Sequence, residues 1–210
     1  MKQEKPVLVV FAGPNGSGKS SITNEALRVG AMPPLYINAD DMTRKKLGGR
    51  DRAQLGQAQL DHVNVEAANE ADHQRKEAMR AGQSFATETV MSTPAKIEFM
   101  REAKENGYYI HLIYVITQDP EINVERVLDR VEKGGHAVPP EKTKARYRRA
   151  MKLLTEAIQV ADSAKVYDNS SNDPILILEK MISNDIILSN RNLPDLYSEW
   201  VAEITLNFNR

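Results

Sequence analysis

Gly13-Pro14-Asn15-Gly16-Ser17-Gly18-Lys19-Ser20 follows an unbroken apolar run, Val7-Leu8-Val9-Val10-Phe11-Ala12, and precedes residues that can propagate a helix. That order is the context of a P-loop, in which a buried strand ends in a glycine-rich turn and a helix begins at once. Glycines let consecutive backbone N–H groups close around phosphate oxygens, and the new helix points its positive end at the same anion. Gly13, Pro14, Asn15, Gly16, Ser17 and Gly18 then form the cradle, Lys19 reaches the β- and γ-phosphates, and the Ser20 hydroxyl is a ligand for Mg²⁺. The stretch indicates a bound nucleotide. It is silent on what the nucleotide is used for.

Around this turn, 210 residues with 41% apolar and 27% charged content suit a single domain over 1–210 with a full core. No segment has the continuous apolar length needed to span a bilayer. Met1-Lys2-Gln3-Glu4-Lys5-Pro6 lacks the apolar core of a secretory signal, so a cytoplasmic protein is expected. The absence of cysteine excludes disulfides, thiolate metal sites and a cysteine nucleophile. A formal net charge of −1 argues against nucleic acid as a default partner.

Downstream, a short helix from Ser21 to Val29 stops at Gly30, and Pro33-Pro34 leads into a second strand, Leu35-Tyr36-Ile37-Asn38. It ends on Ala39-Asp40-Asp41, and in an open α/β sheet ligands sit beyond the carboxyl ends of the strands. Asp40 is the candidate for chemistry and Asp41 for capping the next segment, with position alone leaving the two nearly even. A thinly apolar stretch from Arg52 to Ala81 reads as one long helix or two. His62 and His73 lie eleven positions apart on it, outside the three- or four-residue spacing of metal ligands on one helix, and are read as surface residues. Ser84-Phe85-Ala86-Thr87-Glu88-Thr89 is a third strand. Glu88, near its end, is the candidate acid for holding Mg²⁺ or its water shell beside the P-loop. A helix from Thr93-Pro94 to about Asn106 precedes a strand from Tyr108 to Ile116, apolar on nearly all positions and so central, with His111 read as a satisfied core residue.

Arg126 to Lys152 holds nine basic residues and three acidic ones. Two helices flank a break at Gly134-Gly135-His136-Ala137-Val138-Pro139-Pro140. Arg126 and Arg130 share a face of the first, and Lys142, Lys144, Arg146, Arg148 and Arg149 open the second. Such a run is either a solvated helix face or a lid over about 126–150 whose arginines close on the transferring phosphoryl group. The need for charge neutralisation in phosphoryl transfer favours the lid. Ala164 to Ser170 is a further strand and turn at the same edge. The region 174–206 reads as a hairpin, Pro174-Ile175-Leu176-Ile177-Leu178 with Ile186-Ile187-Leu188, and a closing helix from Leu193 to Ile204. The sum is a P-loop NTPase-like three-layer α/β sandwich with a mainly parallel sheet and a helical lid.

Taken in order, these blocks resemble the zeta-toxin family of P-loop kinases, specifically its short bacterial members, from the first strand to about Ser170. The likeness is carried by Gly13 to Ser20, Ile37-Asn38-Ala39-Asp40, Thr87-Glu88-Thr89, and Gly107 to Pro139 with Gly134-Gly135-His136-Ala137-Val138-Pro139. Arg146-Tyr147 and Tyr167-Asp168-Asn169-Ser170 continue it. It implies a nucleoside-kinase-like fold and transfer of the ATP γ-phosphoryl group to the 3′-hydroxyl of the sugar in UDP-N-acetylglucosamine. It also implies control by a small antitoxin that blocks the nucleotide site. By position, Asp40 is implied to be the catalytic base, Lys19 the phosphate lysine, Glu88 a substrate-contacting acid and Arg130 an arginine acting on the γ-phosphate. The implied nucleotide contacts extend to Ser21 and Asn169, and the acceptor contacts to Thr89, His136, Arg146 and Arg149. Three positions depart from the family pattern. The second lid arginine falls at His136, so its role passes to Arg146 or Arg149 or is lost; a threonine and an arginine of the sugar-nucleotide pocket are Val90 and Ser92.

The expected activity is ATP- and Mg²⁺-dependent phosphoryl transfer to a hydroxyl of a small molecule. Three alternatives stay open on the residues alone: a kinase for a nucleoside or another nucleotide sugar, an ATP-binding regulatory or partner-binding protein with little turnover, and a polynucleotide kinase.

Overall fold

β1 (Val7–Ala12) has no polar side chain, which suits a strand covered on both faces. It lies inside the sheet, parallel to β3 (Phe85–Thr89) on one side and to β4 (Tyr109–Ile116) on the other. The computed structural model of the chain describes residues 5–48, 55–132, 137–171, 173–183 and 185–188. With β2 (Tyr36–Ile37), β5 (Ser163–Asp168), β6 (Ile175–Lys180) and β7 (Ile186–Leu188), the sheet has the order β2-β3-β1-β4-β5-β6-β7. The first five strands in space are parallel, and β6 and β7 add an antiparallel edge. The expected mainly parallel sheet and terminal hairpin are both present.

Among the described residues six helices connect the strands: α1 (Lys19–Arg28), α2 (Ala39–Leu47), α3 (Gln57–Arg80), α4 (Pro94–Glu105), α5 (Pro120–Glu132) and α6 (Pro140–Val160). The larger core lies on one face of the sheet, where Leu8, Val10, Phe85 and Leu112 meet Ala71 of α3, Ile97 and Met100 of α4, and Leu154 and Ile158 of α6. On the other face Val9, Phe11 and Ala86 pack with Ile22 and Ala26 of α1. Layers on both faces complete the sandwich. Phe85 is fully buried and meets Tyr108 edge-on at 5.8 Å, while the Tyr108 hydroxyl donates to Ala78 O and Gln83 O, each at 2.8 Å. That one phenol ties the end of α3 to the start of β4.

Several expectations shift. The second strand is only two residues long. Neither Asp40 nor Asp41 caps α2: Asn38 does, its Oδ1 accepting from Asp40 N at 2.9 Å. Both acids instead occupy the first turn, where negative charge complements the helix dipole. α3 is a single helix where it is described, and His62 and His73 sit on its surface, 3.3 Å from Glu66 and Glu77 respectively. His111 Nδ1 lies 2.6 Å from Ser163 Oγ, a cross-strand contact that satisfies the ring as expected, although the residue is half-buried and lies outside the core. The expected break residues Gly134, Gly135 and His136, and the expected closing helix from Leu193 to Ile204, lie outside the described residues.

Candidate active site

The glycine turn runs from the end of β1 to Gly18, which adopts a left-handed conformation (φ 91°) at the start of α1. Its shape is held from behind. Asn123 of α5 donates Nδ2 to Asn15 O at 2.6 Å, and Asn169, just after β5, donates Nδ2 to Ser17 O at 2.8 Å. A Cβ on Gly18 would stand 2.1 Å from Asn169 Nδ2, so only glycine fits at the φ this turn needs. Asn169 thus supports the cradle from behind and does not line the cavity in front of it. Asn123 was not singled out from the sequence, because an asparagine within a helix carries no local signal of where its side chain reaches.

In front of the turn is a cavity of about 520 Å³. It is lined by Asn15, Gly16, Gly18, Lys19, Ser20 and Ser21 from the turn, by Asp40, and by Glu88 and Thr89 from the end of β3. Arg126 and Arg130 of α5 and Arg146 of α6 complete the basic wall. The Lys19 ammonium is buried and donates to Pro14 O at 2.8 Å. Burial lowers its pKa below the usual lysine range, against the opposing fields of Glu88 and Asp40, with Arg130 adding to the lowering. Those two carboxylates are therefore within electrostatic reach of the ammonium. Asp41 turns elsewhere and pairs with Arg44 at 3.0 Å. Of the two neighbouring acids, it is Asp40 that faces the turn.

Glu88 is set on β3 directly beside Phe11 of β1. Its carboxylate accepts from Ser20 Oγ at 3.1 and 3.3 Å and from the Tyr36 hydroxyl at 3.2 Å, with Thr23 Oγ1 at 3.5 Å. Tyr36 in turn accepts from Asn38 Nδ2 at 2.7 Å, and its burial beside Glu88 keeps the phenol protonated well past neutral pH. Beyond β3 the chain turns sharply at Met91, a buried residue in the left-handed region (φ 52°) that aims Thr89 to Ser92 along the cavity wall.

Arg146 reaches the turn itself, donating to Asn15 Oδ1 at 3.3 Å. Burial and then Arg149 weaken its hold on its proton, which Asp40 reinforces. Arg149 is set aside, donating to Ser92 O at 3.3 Å without lining the cavity. Arg126 bonds Asn169 O at 2.6 Å and Ser170 O at 3.2 Å and so clamps the chain after β5. The helix carrying Arg146 and Arg149 is anchored: Tyr147 OH donates to Thr117 O at 2.6 Å and Tyr114 OH to Ala150 O at 2.7 Å. Arg75 of α3 and Lys96 of α4 also line the cavity and carry no recognisable sequence signal.

A lysine-bearing glycine turn at the carboxyl edge of a parallel sheet, with the flanking strand order seen here, defines a P-loop kinase. The Zeta toxin family model matches residues 1–176, and the chain belongs to that family. An uncharacterized protein of Haemophilus influenzae (strain ATCC 51907 / DSM 11121 / KW20 / Rd) is 29% identical over 142 residues, covering 66% of this chain and 91% of that protein. Among solved structures, the AvrRxo1-ORF1:-ORF2 complex with ATP matches with a TM-score of 0.71 at 16% identity, covering 96% of this chain. This chain spans 64% of the length of that AvrRxo1 chain. The PezAT chromosomal toxin–antitoxin system of Streptococcus pneumoniae matches with a TM-score of 0.65 at 13% identity, covering 100% of this chain and 88% of that one. At these identities the likeness is one of fold.

Proposed function

We propose that the chain transfers the γ-phosphoryl group of ATP to a hydroxyl of a small molecule. The observation that carries this reading is the meeting of Lys19, Asp40 and Glu88 in one cavity with arginines of α5 and α6 on its wall. The turn and Lys19 hold the triphosphate. The acceptor hydroxyl oxygen attacks the γ-phosphorus, the bond to the β,γ-bridging oxygen breaks, and ADP leaves with that electron pair. The hydroxyl proton passes to the Asp40 carboxylate, which is exposed to the cavity and free of the cap role. Arg130 and Arg146 neutralise charge on the equatorial oxygens of the moving group.

Mg²⁺ suits the donor set, since the Ser20 hydroxyl and the Glu88 carboxylate present oxygen ligands 3.1 Å apart beside the turn. Among the described residues no group of three or more His, Cys, Asp or Glu side chains is placed to hold a metal, which accords with an ion that relies on nucleotide phosphates and water for the rest of its shell. When bound, the ion neutralises β- and γ-phosphate charge. Glu88 and Ser20 would hold the ion, and the Glu88 carboxylate also lines the cavity where the acceptor would lie.

Family membership supports UDP-N-acetylglucosamine as an acceptor to test first and a small antitoxin as a partner, as the PezAT system is named for both components. The test is mass spectrometry of a bacterial metabolite extract incubated with ATP and either wild type or Lys19→Ala. One metabolite gaining a phosphate only with wild type is expected, and its formation should slow about 10²- to 10⁴-fold in Asp40→Asn. No Lys19-dependent product would overturn the assignment in favour of a nucleotide-binding regulator.

A further inference from the structure

Glu88 and Asp40 stand on different elements, the end of β3 and the first turn of α2, and one chain of hydrogen bonds joins them. The Glu88 carboxylate accepts from the Tyr36 hydroxyl at 3.2 Å, Tyr36 accepts from Asn38 Nδ2 at 2.7 Å, and Asn38 Oδ1 accepts from Asp40 N at 2.9 Å. Strand geometry makes the chain possible. Tyr36 pairs with Ala86, which shares a face of β3 with Glu88, and the ring packs beside that methyl group on its way to the carboxylate. Asn38 continues the extended backbone beyond β2 (φ −134°, ψ 119°), so its amide lies on the same face as the phenol.

The direction of each bond is forced. The Asp40 N–H can only donate, so the Asn38 amide presents its oxygen there and its NH₂ to Tyr36. That NH₂ cannot accept, so the single proton of the phenol goes to Glu88. The other hydroxyls at the carboxylate belong to α1. Thr23 has one proton and lies closer to Lys19 O, at 3.0 Å, than to Glu88, at 3.5 Å. Ser20, at 3.1 and 3.3 Å, is itself the hydroxyl offered to Mg²⁺. Among these three donors Tyr36 is the tether that is neither engaged elsewhere nor a metal ligand, and it does not line the cavity in front of the glycine turn.

We propose that Tyr36 and Asn38 are a pair of positioning residues: Asn38 orients the phenol, and the phenol aims the Glu88 carboxylate at the metal position beside Ser20. This rests on the reading in which Ser20 and Glu88 hold Mg²⁺. Because Asn38 also caps α2, one amide sets both the acid on β3 and the turn that carries the base. In Tyr36→Phe the carboxylate keeps Ser20 as its nearest donor and can turn about its last side-chain bond.

Two variants separate this role from capping. Serine caps a helix about as well as asparagine but is too short to reach the phenol, so Asn38→Ser keeps the cap and breaks the chain. Tyr36→Phe breaks it at the next link. Each protein, saturated with a non-hydrolysable ATP analogue, is titrated with Mg²⁺ while thermal stability is followed. The free Mg²⁺ concentration at half-maximal stabilisation is expected to rise about 10- to 100-fold in both variants. The double variant should be no worse than either single one, because the two residues form one path. Binding of the analogue without Mg²⁺ should match wild type throughout. Wild-type Mg²⁺ midpoints in both variants, or a double variant whose shift is the product of the single shifts, would overturn the proposal and leave a Lys19-dependent phosphotransferase standing. If Mg²⁺ does not stabilise the wild-type complex, the proposal falls with the metal site, and formation of a Lys19-dependent product decides the phosphotransferase reading separately.

Discussion

Lys19 carries opposed influences whose balance is measurable. Burial disfavours its charge more than Glu88 and Asp40 restore it, so it loses its proton below the ordinary lysine value of 10.5. Two trends follow between that lowered value and 10.5, with opposite signs. The unfolded chain keeps this proton to higher pH, so the Lys19 contribution makes the unliganded protein more stable as pH rises through the window. Nucleotide affinity falls over the same window, because the phosphates need the ammonium, and binding there takes up a proton. Calorimetric titration of an ATP analogue in buffers of differing ionisation heat should show that uptake in wild type and not in Lys19→Met. At this scale the sequence was readable where a motif fixes a residue's place, as for Lys19 and Ser20, whereas Glu88 followed only from its position near the end of a strand. It misassigned the cap of α2, because Asn38 precedes two acids and any of the three has the chemistry to cap a helix. Asn123, Arg75 and Lys96 project from ordinary amphipathic helices, and only the packing of distant elements brings them to the site.

Among the elements, α6 is held along its length. Tyr147 and Ala150 bond to strand β4 and its following turn, and the buried Lys180 of β6 donates to Ile158 O, Gln159 O and Ala161 O at the helix end. The Arg146 guanidinium therefore meets Asn15 from a fixed support. Burial, with help from Asp119 and Asp168, pushes the Tyr147 hydroxyl up to about 12, so this tether persists unchanged through neutral pH. Tyr147→Phe leaves Thr117 O without its donor and should cost about 1–2 kcal/mol in urea unfolding, with weaker nucleotide binding as Arg146 loses its reference point. Strands were the most legible elements, since continuous apolar runs leave little choice of position. The registers were not legible, because β1, apolar at every position, carries no alternation to fix how its neighbours pair with it.

For the molecule as a whole, a rule simple enough to read in the sequence, that apolar strands alternating with helices give a parallel sheet, accounts for the direction of the strands, although it leaves the order of the sheet open. The nucleotide site then lies at its carboxyl edge. A ligand that binds only the folded state should stabilise the entire domain, by about 2.7 kcal/mol at a hundredfold excess over its dissociation constant. A rise in melting temperature with Mg²⁺ and ATP analogue, abolished in Lys19→Ala, checks that the site and the core form one cooperative unit. The bracing of the glycine turn has its own consequence for biosynthesis. The turn appears early on the ribosome, but Asn123 and Asn169, 108 and 152 residues away from the carbonyls they hold, emerge much later. A nascent chain therefore lacks both braces of its triphosphate-gripping turn until its fifth strand has been translated, so activity of this kind is deferred to the last part of synthesis.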